Sequence, residues 1–185
     1  IKVQKAYPGL KGYSYSALAP AGAREAAKTL YGEGILPSVK LSRAKRILSL
    51  DSDFAGLEPV GEDSVSEFSK GRKPGDKMNR LYVAEPAFTL TGGQADHRYR
   101  VAASQMLPVS ILLAKELGSL LGDAGLASLS KSLSKEVVAS VYEEKWIKEC
   151  AADLASEPKK SVVLAGGRQS VLVHQVVAAI NKALG

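Results

Sequence analysis

Thiols are almost absent from this 185-residue chain, and the absence narrows what it can do. Its single cysteine, Cys150, excludes an intramolecular disulfide and any cysteine-ligated zinc or iron–sulfur centre within these residues. No apolar run approaches the roughly 18 residues that a membrane-spanning helix needs, and no charged-then-apolar leader opens the chain. Neither GxGxxG nor GKS or GKT occurs, so the dinucleotide and P-loop signals are absent. The sequence opens at Ile1 and stops at Leu184-Gly185, where a helix would close, which reads as a segment cut from a longer protein. The missing leader is therefore uninformative about compartment.

What is present is enough apolar material for a core. With 45% hydrophobic residues, the chain reads as one globular domain over 1–185. The net charge of +6 is uneven: residues 1–50 hold nine Lys or Arg against only Glu25 and Glu33. Those cations alternate with apolar residues and form no dense run. A solvated basic face is the reading preferred here over a nucleic-acid surface.

Periodicity supplies the elements. Ala21 to Tyr31 places Ala23, Ala26, Ala27 and Leu30 at helical spacing, with Gly32 and Gly34 as stops. Arg46 to Asp51 predicts a strand, and Asp51-Ser52-Asp53 its exit. Residues 55–79, broken by glycine and proline among charges, predict a long irregular connection, functional in itself or a surface for a neighbour. A second strand is expected at Leu81–Ala84, ended by Glu85-Pro86. Helices are expected over Pro108–Leu121, in part of Leu126–Val141, over Glu143–Ala155 and from about Val171. A third strand, Ser161–Ala165, runs into Gly166-Gly167. Helices alternating with short apolar strands predict a three-layer α/β/α sandwich with a mostly parallel, Rossmann-like sheet.

Function is sought first in the stretch from Met78 to Val101. Thr89, Thr91, Gly92, Asp96, His97 and Arg98 follow the second strand, and open α/β sheets bind ligands beyond the carboxyl ends of their strands. Asp96-His97-Arg98 offers either a base with an anion clamp or a buried salt-bridged turn. Gly166 and Gly167, between strand and helix, are placed to cradle a phosphate on helix amides. Asp51 and Asp53 resemble a paired-carboxylate or metal arrangement, although strand-end aspartates more often bond turn amides. His174 reads as a packed or capping histidine, and Cys150, one turn from Trp146, as an inert thiol.

Taken in order, LDSDF (Leu50 to Phe54), MNRLYVAEPAFTLTGGQADHRYRV (Met78 to Val101), WIKECAADL (Trp146 to Leu154) and SVVLAGGRQSVLVHQVVAAINKALG (Ser161 to Gly185) resemble the molybdopterin oxidoreductase superfamily. More narrowly, the chain is similar to the molybdopterin-enzyme-like part of the large iron–sulfur subunit of alternative complex III, a quinol-oxidising respiratory assembly. The resemblance implies that Thr89, Thr91, Gly92, Asp96, His97, Arg98, Gly166 and Gly167 lie where catalytic relatives hold molybdopterin guanine dinucleotide. After Val101, however, Ala-Ala-Ser-Gln-Met replaces the nucleotide-gripping Pro-Gly-Thr-Asp turn of those relatives. It thus implies a scaffold without a molybdenum cofactor of its own, with iron–sulfur clusters elsewhere in the parent. Its partners would be the parent's other domains and the other subunits of a membrane-bound respiratory complex. Its place would be the periplasmic side of the bacterial inner membrane, after a twin-arginine leader. The alternative is the nucleotide-gripping part of a working molybdenum enzyme.

Overall fold

The computed structural model describes residues 2–11, 13, 20–35, 37–58, 60–61, 63–137 and 143–185. Four strands, β1 (Arg46–Leu50), β2 (Arg80–Glu85), β3 (His97–Arg100) and β4 (Ser161–Ala165), form one sheet in the order β3-β2-β1-β4. Every pairing is parallel: Leu48 of β1 lies opposite Tyr82 on one side and Val163 on the other, and Tyr82 opposite His97. The α/β sandwich with a parallel sheet is the architecture the alternating pattern predicts.

The sheet separates two apolar layers because neighbouring strand side chains point to opposite faces. Leu48, Leu50, Tyr82, Ala84 and Val163 face the larger one. There they meet α5 (Met106–Leu121), α6 (Ala124–Ser132), α7 (Glu144–Ser156) and α8 (Val171–Leu184). Their buried stripes include Leu113 and Leu117 of α5, Leu154 of α7, and Val173, Val177 and Ile180 of α8. Ile47, Leu81, Val83 and Leu164 face a thinner layer closed by Leu41, Phe54 and Phe68. Phe68 comes from α3 (Ser64–Lys70), and its ring meets Phe54 edge-on at 5.3 Å. Helix α2 (Ala21–Tyr31) packs on α8, and α1 (Lys2–Ala6) and α4 (Leu90–Gly93) are single turns.

Two sequence readings need correction. Residues 55–79 are not irregular throughout, since α3 lies inside them, held by the Ser64 hydroxyl accepting from the amides of Val60 and Gly61. His97 and Arg98 are not loop residues but the start of β3. Leu126–Val141 is helical in part, as expected, in α6 and a short 3-10 turn at Ser134–Glu136; residues 138–141 lie outside the described residues.

At the β4 edge, Asn181 of α8 substitutes for a missing strand. Its side-chain amide donates to the Val163 carbonyl and accepts from the Val163 amide, both at 2.8 Å. Replacing Asn181 by alanine leaves both backbone groups without that partner and is expected to cost about 2 kcal/mol of unfolding free energy. Urea denaturation and faster hydrogen exchange at the Val163 amide would read the loss.

Candidate functional site

Between β1 and β4 the strand order reverses, because the chain moves from β1 to β2 and β3 on one side and returns with β4 on the other. Crevices outside the carboxyl ends of the strands at such a reversal are where α/β sheets take ligands. Asp51 follows β1 with φ of 55°, the left-handed region that residues with a Cβ seldom occupy. Its buried carboxylate accepts from the Arg168 guanidinium at 2.9 Å and the Gln169 amide at 2.7 Å. The Gly166 amide donates to the Leu50 carbonyl at 2.9 Å, drawing the two strand exits together. A Cβ on Gly166 would overlap the Asp51 carbonyl oxygen, so glycine is required there for close approach. A cleft of about 420 Å³ opens beside this junction, lined by Asp51, Ser104, Leu107, Arg168, Gln169 and Val173.

The charges at this junction do not suit a phosphate. Glu58 accepts the Gly167 amide at 3.1 Å, occupying the donor that an anion would use. Arg168 spends its charge on Asp51, and the Ser170 hydroxyl takes the Val173 amide at the start of α8. Gly166 and Gly167 therefore join strand to helix without offering an open anion cradle.

The second group of candidates lies beyond β2, where a buried carboxylate, Glu85, organises the turn. The Thr89 hydroxyl donates to Glu85 Oε2 at 2.6 Å and accepts from the Gly92 amide at 3.0 Å, capping α4. Gly92 backs directly onto the Glu85 carboxylate. Arg98 donates from Nε to Glu85 Oε1 at 2.5 Å and lies 5.0 Å over the Phe88 ring. Thr91, fully buried, donates its hydroxyl to Asp53 Oδ1 at 2.8 Å and accepts from the Ala55 amide at 3.0 Å. Burial pushes the Asp53 carboxyl upward, but the Thr91 amide and hydroxyl and the Leu57 amide outweigh it and hold the group below its ordinary value.

Asp96 and His97 stand at the other end of the sheet. The turn of α4 carries the chain back, so the Asp96 amide donates to the Leu81 carbonyl and the Asp96 carboxylate accepts from the Leu81 amide at 2.8 Å. Arg72 clamps the same carboxylate at 2.7 and 2.9 Å. Leu81 precedes Glu85 by four residues, about 13 Å along a strand at roughly 3.3 Å per residue. His97 stacks on Tyr82 at 4.7 Å. Asp96, His97 and Arg98 thus do not converge on one point; Asp96 pairs with Arg72, and Arg98 with Glu85. The two charged residues are salt-bridged, each to a different partner, but the turn is not the buried one expected, since Asp96 and His97 are exposed.

Asp51 and Asp53 likewise turn to separate partners. Among the described residues, no group of three His, Cys, Asp or Glu side chains is placed to hold a metal ion. Cys150 is fully buried, and burial followed by the Asp153 charge pushes its thiol well above its ordinary value, as suits a packed side chain. Sequence reasoning did not find Arg72, Glu85, Glu58 or Arg168 as the partners that fix these loops. Only Glu85 carried a signal, an acid at the end of an apolar run. No family model matches the chain, and no curated protein is significantly similar to it.

Proposed function

We propose that this chain is a molybdopterin-oxidoreductase-like domain of a respiratory, quinol-oxidising, iron–sulfur electron-transfer subunit, serving as a scaffold without a molybdenum cofactor of its own. One observation carries the scaffold reading: Thr89, Thr91, Asp96 and Arg98 spend their hydrogen bonds and charges on Glu85, Asp53 and Arg72 within the domain. In catalytic relatives, by the resemblance, the equivalent loop grips the guanine dinucleotide. The residues present do not fit that group, because the Glu58 and Asp51 carboxylates occupy the glycine turn and Asp96 and His97 stand at the far end of the sheet.

On this reading the domain docks against cluster-bearing and membrane subunits on the periplasmic side of the inner membrane. The segment 55–79 and the basic amino-terminal face are the docking surfaces. No helix among the described residues is long and apolar enough to cross a membrane, so attachment would come from those partners. The second reading, part of a catalytic molybdopterin guanine dinucleotide enzyme, draws on the cleft of about 420 Å³ at the strand-order reversal.

The intact parent protein, purified anaerobically from its host, separates the two. Iron and sulfide without molybdenum or oxidised-pterin fluorescence is the expected result. Molybdenum and pterin near one per chain would replace the scaffold with the enzyme.

A further inference from the structure

Three strands begin level with one another, Arg46 of β1 lying opposite Arg80 of β2 and Ser161 of β4, so the connections that lead into them end on one face of the molecule. That face is basic. Residues 41–46, 71–80 and 157–160 carry nine Lys or Arg against only Asp76 and Glu157. Backbone bonds hold these stretches side by side: the Arg80 amide donates to the Lys45 carbonyl at 2.8 Å, and the Lys45 amide to the Lys160 carbonyl at 2.7 Å. The Asn79 amide closes the 71–79 loop on the Gly71 carbonyl at 2.9 Å, which keeps Lys73 and Lys77 at the start of β2.

Only part of this charge is met within the domain. Lys45 pairs with Glu157, Arg72 with Asp96, and Arg46 and Arg80 share Asp153. Arg43, Lys73, Lys77, Lys159 and Lys160 are exposed and form no ion pair among the described residues. Lys159 also has φ of 67°, a conformation that glycine adopts without strain, so a charge stands where the backbone does not favour a side chain. The carboxyl end of the sheet differs. There Asp51 offsets Arg168, and Glu85 offsets Arg98.

The chemistry of the face narrows its partner. Protein interfaces are poor in lysine and built around aromatic or apolar anchors, yet none of the large exposed apolar side chains among the described residues belongs to these stretches. They also contain no aromatic ring on which a base could stack, and no helix longer than a single turn or β-ribbon to enter a groove. A flat anionic lipid surface asks only for cations at one level, each raising affinity about fivefold near the headgroups.

We infer that the amino end of the sheet is a docking face for an anionic phospholipid surface, held by Coulomb attraction between lipid phosphates and Arg43, Lys73, Lys77, Lys159 and Lys160, with no part of the chain inserted. Contact of this kind lies on the bilayer and does not span it. It takes the 71–79 end of the segment 55–79 for lipid. Because it rests on charge and placement alone, it survives failure of the scaffold reading.

Flotation of the full chain with vesicles tests the assignment. At about 0.1 M salt, where the Debye length is about 10 Å, the chain should bind vesicles of phosphatidylcholine containing phosphatidylglycerol and not phosphatidylcholine alone, and about 1 M salt should release it. Replacing Lys77, Lys159 and Lys160 together by glutamine should lower that affinity on the order of 100-fold, about fivefold for each cation. Lys115→Gln, Lys131→Gln and Lys135→Gln combined remove the same charge from other exposed positions and should cost less than about threefold. A readout on the unaltered chain needs no variant to fold: bound vesicles should shield Lys73, Lys77, Lys159 and Lys160 from acetylation, read by mass spectrometry, and leave Lys131 and Lys135 reactive. Absence of binding, equal binding to both vesicles, equal losses in the two triple variants, or shielding that falls elsewhere would overturn the assignment. Binding to a DNA duplex as tight as to the anionic vesicles, and as sensitive to the first triple variant, would overturn it in favour of nucleic acid.

Discussion

Gly166→Ala is expected to lower unfolding free energy by about 3 kcal/mol or more, enough to leave a marginal domain largely unfolded. The added methyl would overlap the carbonyl oxygen of Asp51, a backbone atom with little room to yield. The flanking chain is tied on both sides, since the Gly166 amide bonds Leu50 and the Asp51 amide bonds the Ala84 carbonyl at 2.8 Å. Relief would require breaking a parallel ladder at its end. Gly93→Ala is the control. A Cβ there meets only the Phe88 ring at 3.7 Å, an ordinary contact, and its effect should stay within about 0.5 kcal/mol. Urea midpoints of the two variants measured side by side check the contrast. A Gly166→Ala midpoint equal to that of Gly93→Ala would mean that the β1 and β4 exits do not approach this closely.

Asp153→Ala is the second large loss, about 2 to 3 kcal/mol. This carboxylate, on α7, ties the amino ends of two strands to the helix that covers them. It accepts from Arg46 Nε at 2.6 Å, Arg80 at 2.8 Å and the Tyr82 hydroxyl at 3.1 Å. Alanine leaves the Arg46 side chain, only 17% exposed, without its counter-charge. Burial raises the Asp153 carboxyl, but Arg46 and then Arg80 outweigh it, so the group sits below its ordinary value. A carboxyl depressed in the folded state adds stability that is present above its unfolded pKa and is lost as pH falls through the folded one. The wild-type protein should therefore lose stability below about pH 4, and the variant should lose less over that interval. Asp53 and Asp96 are depressed as well, so a reduced acid slope is expected in the variant, not a flat one. Tyr82 gives an independent signal: burial and then the Asp153 charge push its hydroxyl up to about 12. Removing the charge should bring that titration down, read as phenolate absorbance in the folded variant.

Legibility followed locality. Helices α2, α5 and α8 were readable because their signals lie within a turn of their ends: Gly32 after α2, Gly122 in the left-handed conformation after α5, and the Ser170 cap before α8. β3 was not, because His-Arg-Tyr-Arg is a polar edge strand that buries little beyond Tyr99. α3 was hidden because glycines and prolines on both sides outweighed a seven-residue helix resting on Phe68. The site residues suffered from the same limit. Thr89 and Thr91 do lie past the carboxyl end of β2, as their position after an apolar run implies. Asp96 does not, because the short crossover through α4 reverses the chain, and its partner Arg72 lies 24 residues earlier with no pattern linking the two. Even the glycine pair was only half readable. Its position between strand and helix was plain in the sequence, whereas the acids that face it come from the loop after β1.

The sheet order also bears on how this chain leaves the ribosome. β1 lies inside the sheet, yet one of its partners, β4, is synthesised after the other three strands. Until Ser161–Ala165 emerges, the Arg46–Leu50 edge and the apolar face later covered by α8 have no native cover, although β2, β3 and α5 are already available. A nascent chain halted before residue 161 would thus present an open parallel edge, the kind of surface that chaperones hold and neighbouring chains invade. Emergence of β4 and α8, and not of the earlier helices, would release it from that hazard.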